Sequence, residues 1–190
     1  MPMESKEDLF AHGLKDLYDT EHKLKGALKK LATLSKSEPG LQKLFTNHLK
    51  ETENHIKRLD SVFESIGKRP SRVPCEGING LLKEHSEFVK EEKPKGDVLK
   101  AFNIEAALKT EHYEIVSYQG LITLAAELGN REAQSLLSQN LAEEENAARL
   151  LEREGNVRVA PEQGKSARRE VVKPSGPYRE RDDGEPEARM

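Results

Sequence analysis

The strongest constraint on this chain is that it repeats itself. Thr20-Glu21-His22 recurs as Thr110-Glu111-His112, and a second acidic cluster recurs about 30 residues after each. That cluster is His48-Leu-Lys-Glu51-Thr-Glu-Asn-His55 in the first half and Asn140-Leu-Ala-Glu143-Glu-Glu-Asn-Ala147 in the second, with Leu, Glu, Glu and Asn at equal positions. Internal repetition of this kind marks a duplicated structural unit, here a helical hairpin. What is duplicated is carboxylate and imidazole at helical spacing, the raw material of a two-fold metal site.

Apolar periodicity supplies the helices. Ser5-Lys-Glu-Asp8 has the form of an N-cap followed by acidic first-turn residues, and Leu14, Leu17, Leu24, Leu28 and Leu31 follow at helical spacing, predicting a first helix that ends near Ser37. Pro39-Gly40 break it. Leu41, Leu44, Phe45, Leu59, Val62 and Ile66 define a second helix, which Gly67 can close. So short a connection makes the two antiparallel neighbours. After a loop from Lys68 to Pro74, a shorter amphipathic segment carries Ile78, Leu81, Leu82, Phe88 and Val89 and ends at Pro94 and Gly96. Asp97 is the expected cap of a third long helix with Ala101, Ile104, Leu108, Ile115 and Ile122 on one face, stopped by Gly129-Asn130. A fourth is expected from about Arg131 to Glu154, striped by Leu136, Leu137, Leu141, Leu150 and Leu151.

No segment alternates with period two and aromatics are 5% of the chain, so the class is all-α. Four long helices with a short helix in the crossover between two hairpins is the arrangement of a bundle with one long connection. The bundle should occupy residues 1–155. Beyond Gly155 the periodicity gives way to Gly, Pro, Ser and mixed charge, and 156–190 is expected to be a disordered tail whose partner the sequence does not name.

Charge excludes some functions. Charged residues are 34% of the 190, yet the net charge is −3, so the signs are interspersed and no basic patch for nucleic acid arises. No apolar run approaches the roughly 20 residues of a membrane span, and Met1 to Lys6 lack a signal-peptide core, so a cytoplasmic protein is expected. The single cysteine, Cys75, fits a reducing compartment.

Glu21 interrupts the stripe Leu14, Leu17, Glu21, Leu24, Leu28, and Glu111 interrupts Ile104, Leu108, Glu111, Ile115, Tyr118, Ile122. Both carboxylates therefore point into the core. Steps of three and four put His48, Glu51 and His55 on one face of the second helix, and Asn140, Glu144 and Ala147 or Ala148 on one face of the fourth. A buried carboxylate must be protonated, paired or metal-bound, and no Lys or Arg shares these stripes. The expected metal set is Glu21, Glu51, His55, Glu111 and Glu144, with His48, Glu114 and Glu143 as further ligands or supporting groups. Tyr18 and Tyr118 are placed near the site, where they could relay protons or electrons. Oxygen-rich ligation with one or two imidazoles suits iron or manganese.

Leu14-Lys-Asp-Leu-Tyr-Asp-Thr-Glu21, His48-Leu-Lys-Glu-Thr-Glu, Arg58-Leu59, Glu111-His-Tyr-Glu114, Tyr118 and Leu141-Ala-Glu-Glu-Glu145 together resemble the YciF-type ferritin-like proteins, over roughly Asp8 to Glu152. The resemblance implies a bacterial stress-associated protein, a ferritin-like bundle, usually dimeric, and a two-metal carboxylate site. The chain departs from the ferritin-like di-iron pattern, which takes Glu-x-x-His from two helices. It contains no Glu-x-x-His, and the repeat partner of His55 is Ala147. The site should be asymmetric and richer in oxygen than nitrogen.

Three functions compete. The first is a di-metal protein of stress response acting as a peroxidase, a catalase-like enzyme or a ferroxidase. The second is a non-enzymatic dimer that buffers metal or acts as an adaptor. The third is a structural bundle with protonated or solvated acids. A homodimer is expected, because helices of 25 to 30 residues are roughly 40 Å long at about 1.5 Å per residue and leave extended side faces.

Overall fold

The computed structural model describes residues 3–155. Five helices follow in order among them: α1 (Lys6–Leu34), α2 (Pro39–Ser65), α3 (Glu76–Glu92), α4 (Gly96–Glu127) and α5 (Arg131–Glu154), with no strand among the described residues. The chain is all-α, and its four long helices form a ferritin-like bundle with α3 in the crossover. The residues of the tail expected at 156–190 lie outside those described.

Local chemistry sets the helix ends. The Ser5 hydroxyl accepts from the Asp8 N–H at 3.1 Å, and Asn130 Oδ1 accepts from the Ala133 N–H at 2.9 Å, each satisfying a donor that the first helical turn leaves free. Pro39 opens α2 instead of lying in the gap before it, since its missing N–H costs nothing in the first turn. The first helix stops at Leu34, one turn before Ser37. Asp97 is not the cap of α4: the helix begins at Gly96 behind Lys95, and Asp97 sits in the first turn. Gly67 and Gly129 close α2 and α4 with φ of 66° and 70°, a left-handed conformation that favours glycine.

Packing runs around the bundle from α1 to α2, α2 to α5, α5 to α4 and α4 back to α1. Two apolar clusters cap its ends. Phe10, Leu14, Leu17, Leu59, Phe63, Leu121 and Leu137 fill one end, and Leu28, Leu31, Leu41, Phe45, Ile104 and Leu151 fill the other. Between them the inward positions are polar: Glu21, His48, Thr52, His55, Glu111, Glu114, Asn140 and Glu144 are all buried. A third small cluster, Leu24, Cys75 and Ile78, docks α3 on the outside of the α1–α4 pair. There α3 comes so close to Tyr113 that a Cβ added at Gly77 would lie 2.6 Å from the ring, so only glycine fits without displacing it.

The buried seam of α4 is Ile104, Ala107, Glu111, Glu114, Tyr118, Leu121 and Ala125, with Leu108, Ile115 and Ile122 half-buried beside it. The expected stripe through Leu108, Ile115 and Ile122 is thus rotated away from the bundle axis. The reason is that α4 packs against α1, α5 and α3, so apolar residues surround much of its circumference and do not single out one face.

Candidate metal centre

Four long helices converge on the polar middle layer: α1 contributes Glu21, α2 His48 and His55, α4 Glu111 and Glu114, α5 Glu144. Two groups of potential ligand atoms, each within 4.8 Å of one another, can be drawn: Glu21, His55 and Glu144, and His48, Glu111 and Glu144. Glu144 belongs to both. Its Oε1 lies 2.9 Å from His55 Nδ1 and its Oε2 3.3 Å from His48 Nε2, so one carboxylate spans two half-sites. The Glu21 Oε1 is 3.3 Å from His55 Nδ1, and Glu111 Oε2 is 3.3 Å from His48 Nε2.

These close approaches do not satisfy the groups. Glu21 Oε2, Glu111 Oε2, both oxygens of Glu114 and of Glu144, and His55 Nδ1 are buried without a hydrogen-bond partner. The Glu144–His55 pair is within ion-pair distance but lacks hydrogen-bond alignment. Attraction is present where directional bonding is not, and these are groups that could hold a metal ion.

The other imidazole nitrogens are held from outside. His48 Nδ1 lies 3.1 Å from Glu51 Oε2, and His55 Nε2 lies 2.8 Å from Glu143 Oε2. Glu51 and Glu143 are equivalent in the sequence repeat, and each is about one-third exposed. Both are carboxylates that orient an imidazole whose other nitrogen faces the centre, the arrangement that fixes tautomer and direction in metal sites. Glu143 is fixed in turn by Arg58, whose Nη1 and Nη2 donate to its two oxygens at 2.8 Å each. Arg58 Nη1 also donates to Asn140 Oδ1 at 2.8 Å, Asn140 Nδ2 donates to the Tyr118 hydroxyl at 2.9 Å, and that hydroxyl donates a short bond to Glu21 Oε1.

Protonation follows from this crowding. Burial would lower both imidazoles, but Glu111 and Glu144 hold His48 well above the ordinary histidine value, and Glu21 and Glu144 hold His55 at about 10. Burial works to raise Glu144, yet the two imidazoliums overcome it and keep this carboxylate ionised. Glu111 is raised by burial to about 7 despite His48, and Glu21 is raised for the same reason despite His55. Glu114 is raised well above the carboxylate range, first by burial and then by the neighbouring Glu144, Glu21 and Glu111.

Of the residues expected at the site, Glu21, His55, Glu111 and Glu144 are brought together. Glu51 is not among them. The inward positions of α2 run Leu41, Phe45, His48, Thr52, His55, Leu59 and Val62, so Glu51 lies to the side and reaches the centre only through His48. His48 takes the inner place, and Glu114 joins the buried set. Glu143 stays at the edge. Tyr118 faces the centre, but Tyr18 does not: its hydroxyl donates to Asp60 Oδ1 at 2.7 Å and its ring packs on Phe63, because position 18 lies about a quarter-turn from the Leu17–Glu21 stripe. The reading that no basic residue compensates the acids holds for Lys and Arg inside the layer, where the histidines do so instead. The parts of Arg58 and Asn140 in fixing Glu143 and Tyr118 had not been assigned from the sequence; the signal available was that Arg58 lies one turn after His55.

A four-helix bundle whose long helices each send carboxylate or imidazole to one buried layer defines a ferritin-like protein with an acid-rich interior. Residues 5–160 match the family described as a domain of unknown function, DUF892, and the chain belongs to that family. It is 43% identical to Protein YciF of Escherichia coli over 145 residues, 76% of this chain and 86% of the relative. The crystal structure of the E. coli stress protein YciF superposes with a TM-score of 0.76 at 41% identity, covering 81% of this chain and 96% of that one. YcfI from Rhodopseudomonas palustris, described as a candidate structural protein, superposes with a TM-score of 0.74 at 39% identity, over 78% and 93%. The chain is a YciF-like protein. No helix among the described residues is long and apolar enough to cross a membrane.

Proposed function

We propose that this protein binds two metal ions, iron or manganese, in its carboxylate–imidazole layer and serves a stress response through that centre. The observation that carries the reading is that each of the four buried glutamates leaves at least one oxygen without a hydrogen-bond partner, and that Glu21, His55 and Glu144, and His48, Glu111 and Glu144, each offer ligand atoms within 4.8 Å of one another. Glu21, His55 and Glu144 would hold one ion, and His48, Glu111 and Glu144 the other, with both oxygens of Glu114 in reserve. The donor set, mainly carboxylate oxygen with two imidazoles, fits iron or manganese. Such a pair of ions supplies redox chemistry toward dioxygen or peroxide when bound. The chain itself orients the histidines through Glu51 and Glu143, seats the centre between two apolar clusters, and holds a proton at the Tyr118 hydroxyl beside Glu21.

One observation favours a second reading, a metal-buffering or adaptor bundle without catalysis. His48 and His55, both raised, face Glu144, which is lowered, so imidazole and carboxylate charge partly offset one another within the layer. The name given to the R. palustris neighbour is consistent with that reading. In both readings we propose a cytoplasmic homodimer through the long side faces; a monomer by light scattering at micromolar concentration overturns the dimer.

Elemental analysis of untagged protein, with the absorption spectrum after anaerobic ferrous loading and exposure to oxygen, tests the main reading. Two metals per chain and an oxo-bridged absorption band are expected. Absence of stoichiometric metal after loading overturns the site.

A further inference from the structure

A cavity of about 490 Å³ lies between α1, α3 and α4. Its walls are apolar, formed by Ala27, Leu28 and Leu31 of α1, Leu81 and Leu82 of α3 and Ala107 of α4. On α1 it extends from Lys23 to Leu34, roughly 16 Å at about 1.5 Å per residue. Its inner wall includes His48 and Glu111, two residues of the proposed metal centre. The lysines on its lining are Lys23 and Lys30. Lys23 is engaged by Asp19 and Asn79, while Lys30 is exposed and makes no ion pair among the described residues.

Size decides what this space is for. A water molecule takes up roughly 30 Å³ of the liquid, and peroxide or dioxygen is of similar scale, so the cavity exceeds their needs by about an order of magnitude. It lies within the range of organic-ligand pockets, and it shares their character of apolar walls with a few convergent polar groups. The only carboxylate on its lining is the inner Glu111. Toward the surface the exposed Lys30 complements an anionic head and leaves an apolar body to face the leucines.

We propose that the cavity between α1, α3 and α4 binds an amphipathic organic monoanion, its head at Lys30, its body along α1 and its far end against His48 and Glu111. The proposal deepens the metal-centre reading and rests on it for the role of the bound molecule as substrate.

Dodecanoate below its micelle concentration is a suitable probe, titrated calorimetrically into the full chain before and after loading with Mn²⁺, alongside Mn²⁺ titrated alone. Gly26 lies on the lining and a Cβ there would meet nothing within 4 Å, so Gly26→Leu adds bulk at the cavity wall and is also a better helix former. One dodecanoate per chain is expected, weakened at least tenfold by Gly26→Leu. Lys30→Glu should weaken dodecanoate and leave dodecanol unchanged. Both variants should take up Mn²⁺ as the parent does, which also reports that they fold. Absent or non-saturating binding, or binding indifferent to Gly26→Leu, overturns the proposal. So does a Gly26→Leu variant that alters only the oligomeric state, which would assign the groove to a second copy. A chain that binds one dodecanoate but takes up neither Mn²⁺ nor, anaerobically, Fe²⁺ supports the ligand site and removes the metal reading instead.

Discussion

Tyr118 of α4 and Glu21 of α1 share one buried hydrogen bond in which the phenol donates to a carboxylate, and Asn140 of α5 donates to the same phenol oxygen. Three helices are thereby tied at one atom. Removing that hydroxyl in Tyr118→Phe takes one acceptor from the Asn140 amide and the hydrogen-bond donor from one oxygen of Glu21, a loss of roughly 1 to 3 kcal/mol for a buried group left unpaired. The inward ligand atoms remain, so Mn²⁺ uptake should persist. Denaturant unfolding of the metal-free variant checks the first outcome; unchanged stability would show that the bond contributes nothing.

Glu144 and Glu51 differ in the same test. Glu144 alone belongs to both half-sites, so Glu144→Gln should abolish stoichiometric binding of both ions. In the metal-free protein it leaves two buried imidazoliums short of an anion, on the order of 3 to 5 kcal/mol when one partner of a buried ion pair is lost. Glu51→Gln touches only the orienting contact to His48 and should weaken metal affinity about 10- to 100-fold without abolishing it. Equal behaviour of the two variants in a metal titration would contradict the assignment of inner and outer carboxylates.

The difference between Glu51 and His48 also shows how far a sequence can be read. On α1 and α2 the apolar residues mark one face: Glu21 is legible because it falls in phase with Leu17 and Leu24, and His55 because steps of three and four join it to the His48 face. Glu51, in a His-x-x-Glu-x-x-x-His run, is only one position from the inward Thr52, and a helical phase error of one residue turns a side chain by about 100°. On α4 the apolar residues occur all round, so the stripe that places Glu111 inward also includes the half-buried Leu108, Ile115 and Ile122, while Glu114 is legible only as a possible extra ligand. Tyr18 was misplaced for a related reason: nearness in sequence to Glu21 does not survive a quarter-turn. Arg58 could not be assigned, because its role depends on a partner 85 positions away on α5.

Arg58 grips Glu143 with two hydrogen bonds while both side chains remain partly exposed. Solvent screening limits the pair to about 1 kcal/mol of stability. Its larger effect should be positional, because Glu143 in turn aims His55. Arg58→Lys keeps the charge but loses the planar fork, so it should lower metal affinity severalfold with little change in the unfolding midpoint. In Glu143→Gln, the same Arg58→Lys change should have almost no further effect on affinity; full additivity in this double-mutant cycle would separate Arg58 from the centre.

The last prediction concerns pH. His55 is raised from 6.5 to about 10, so its contribution to metal-free stability is complete below about pH 6.5 and lost as pH rises through 10; His48 acts in the same sense. Glu111, raised from 4.5 to about 7, favours the folded state most at low pH and loses that advantage by neutrality. Glu144 has the opposite sign, since its value is lowered, and its contribution disappears as pH falls below the ordinary carboxylate range. Metal-free stability should therefore be highest near pH 5 to 6 and fall by roughly a few kcal/mol toward pH 9 to 10. Metal reverses the trend because an ion needs neutral imidazoles and ionised acids, so binding releases protons and tightens as pH rises. Unfolding midpoints at pH 6, 7.5 and 9, each with chelator and with Mn²⁺, should show a falling metal-free midpoint and a growing increment on metal addition. A metal-free midpoint that climbs from pH 6 to 9 would mean that the two histidines are not held as cations in the layer.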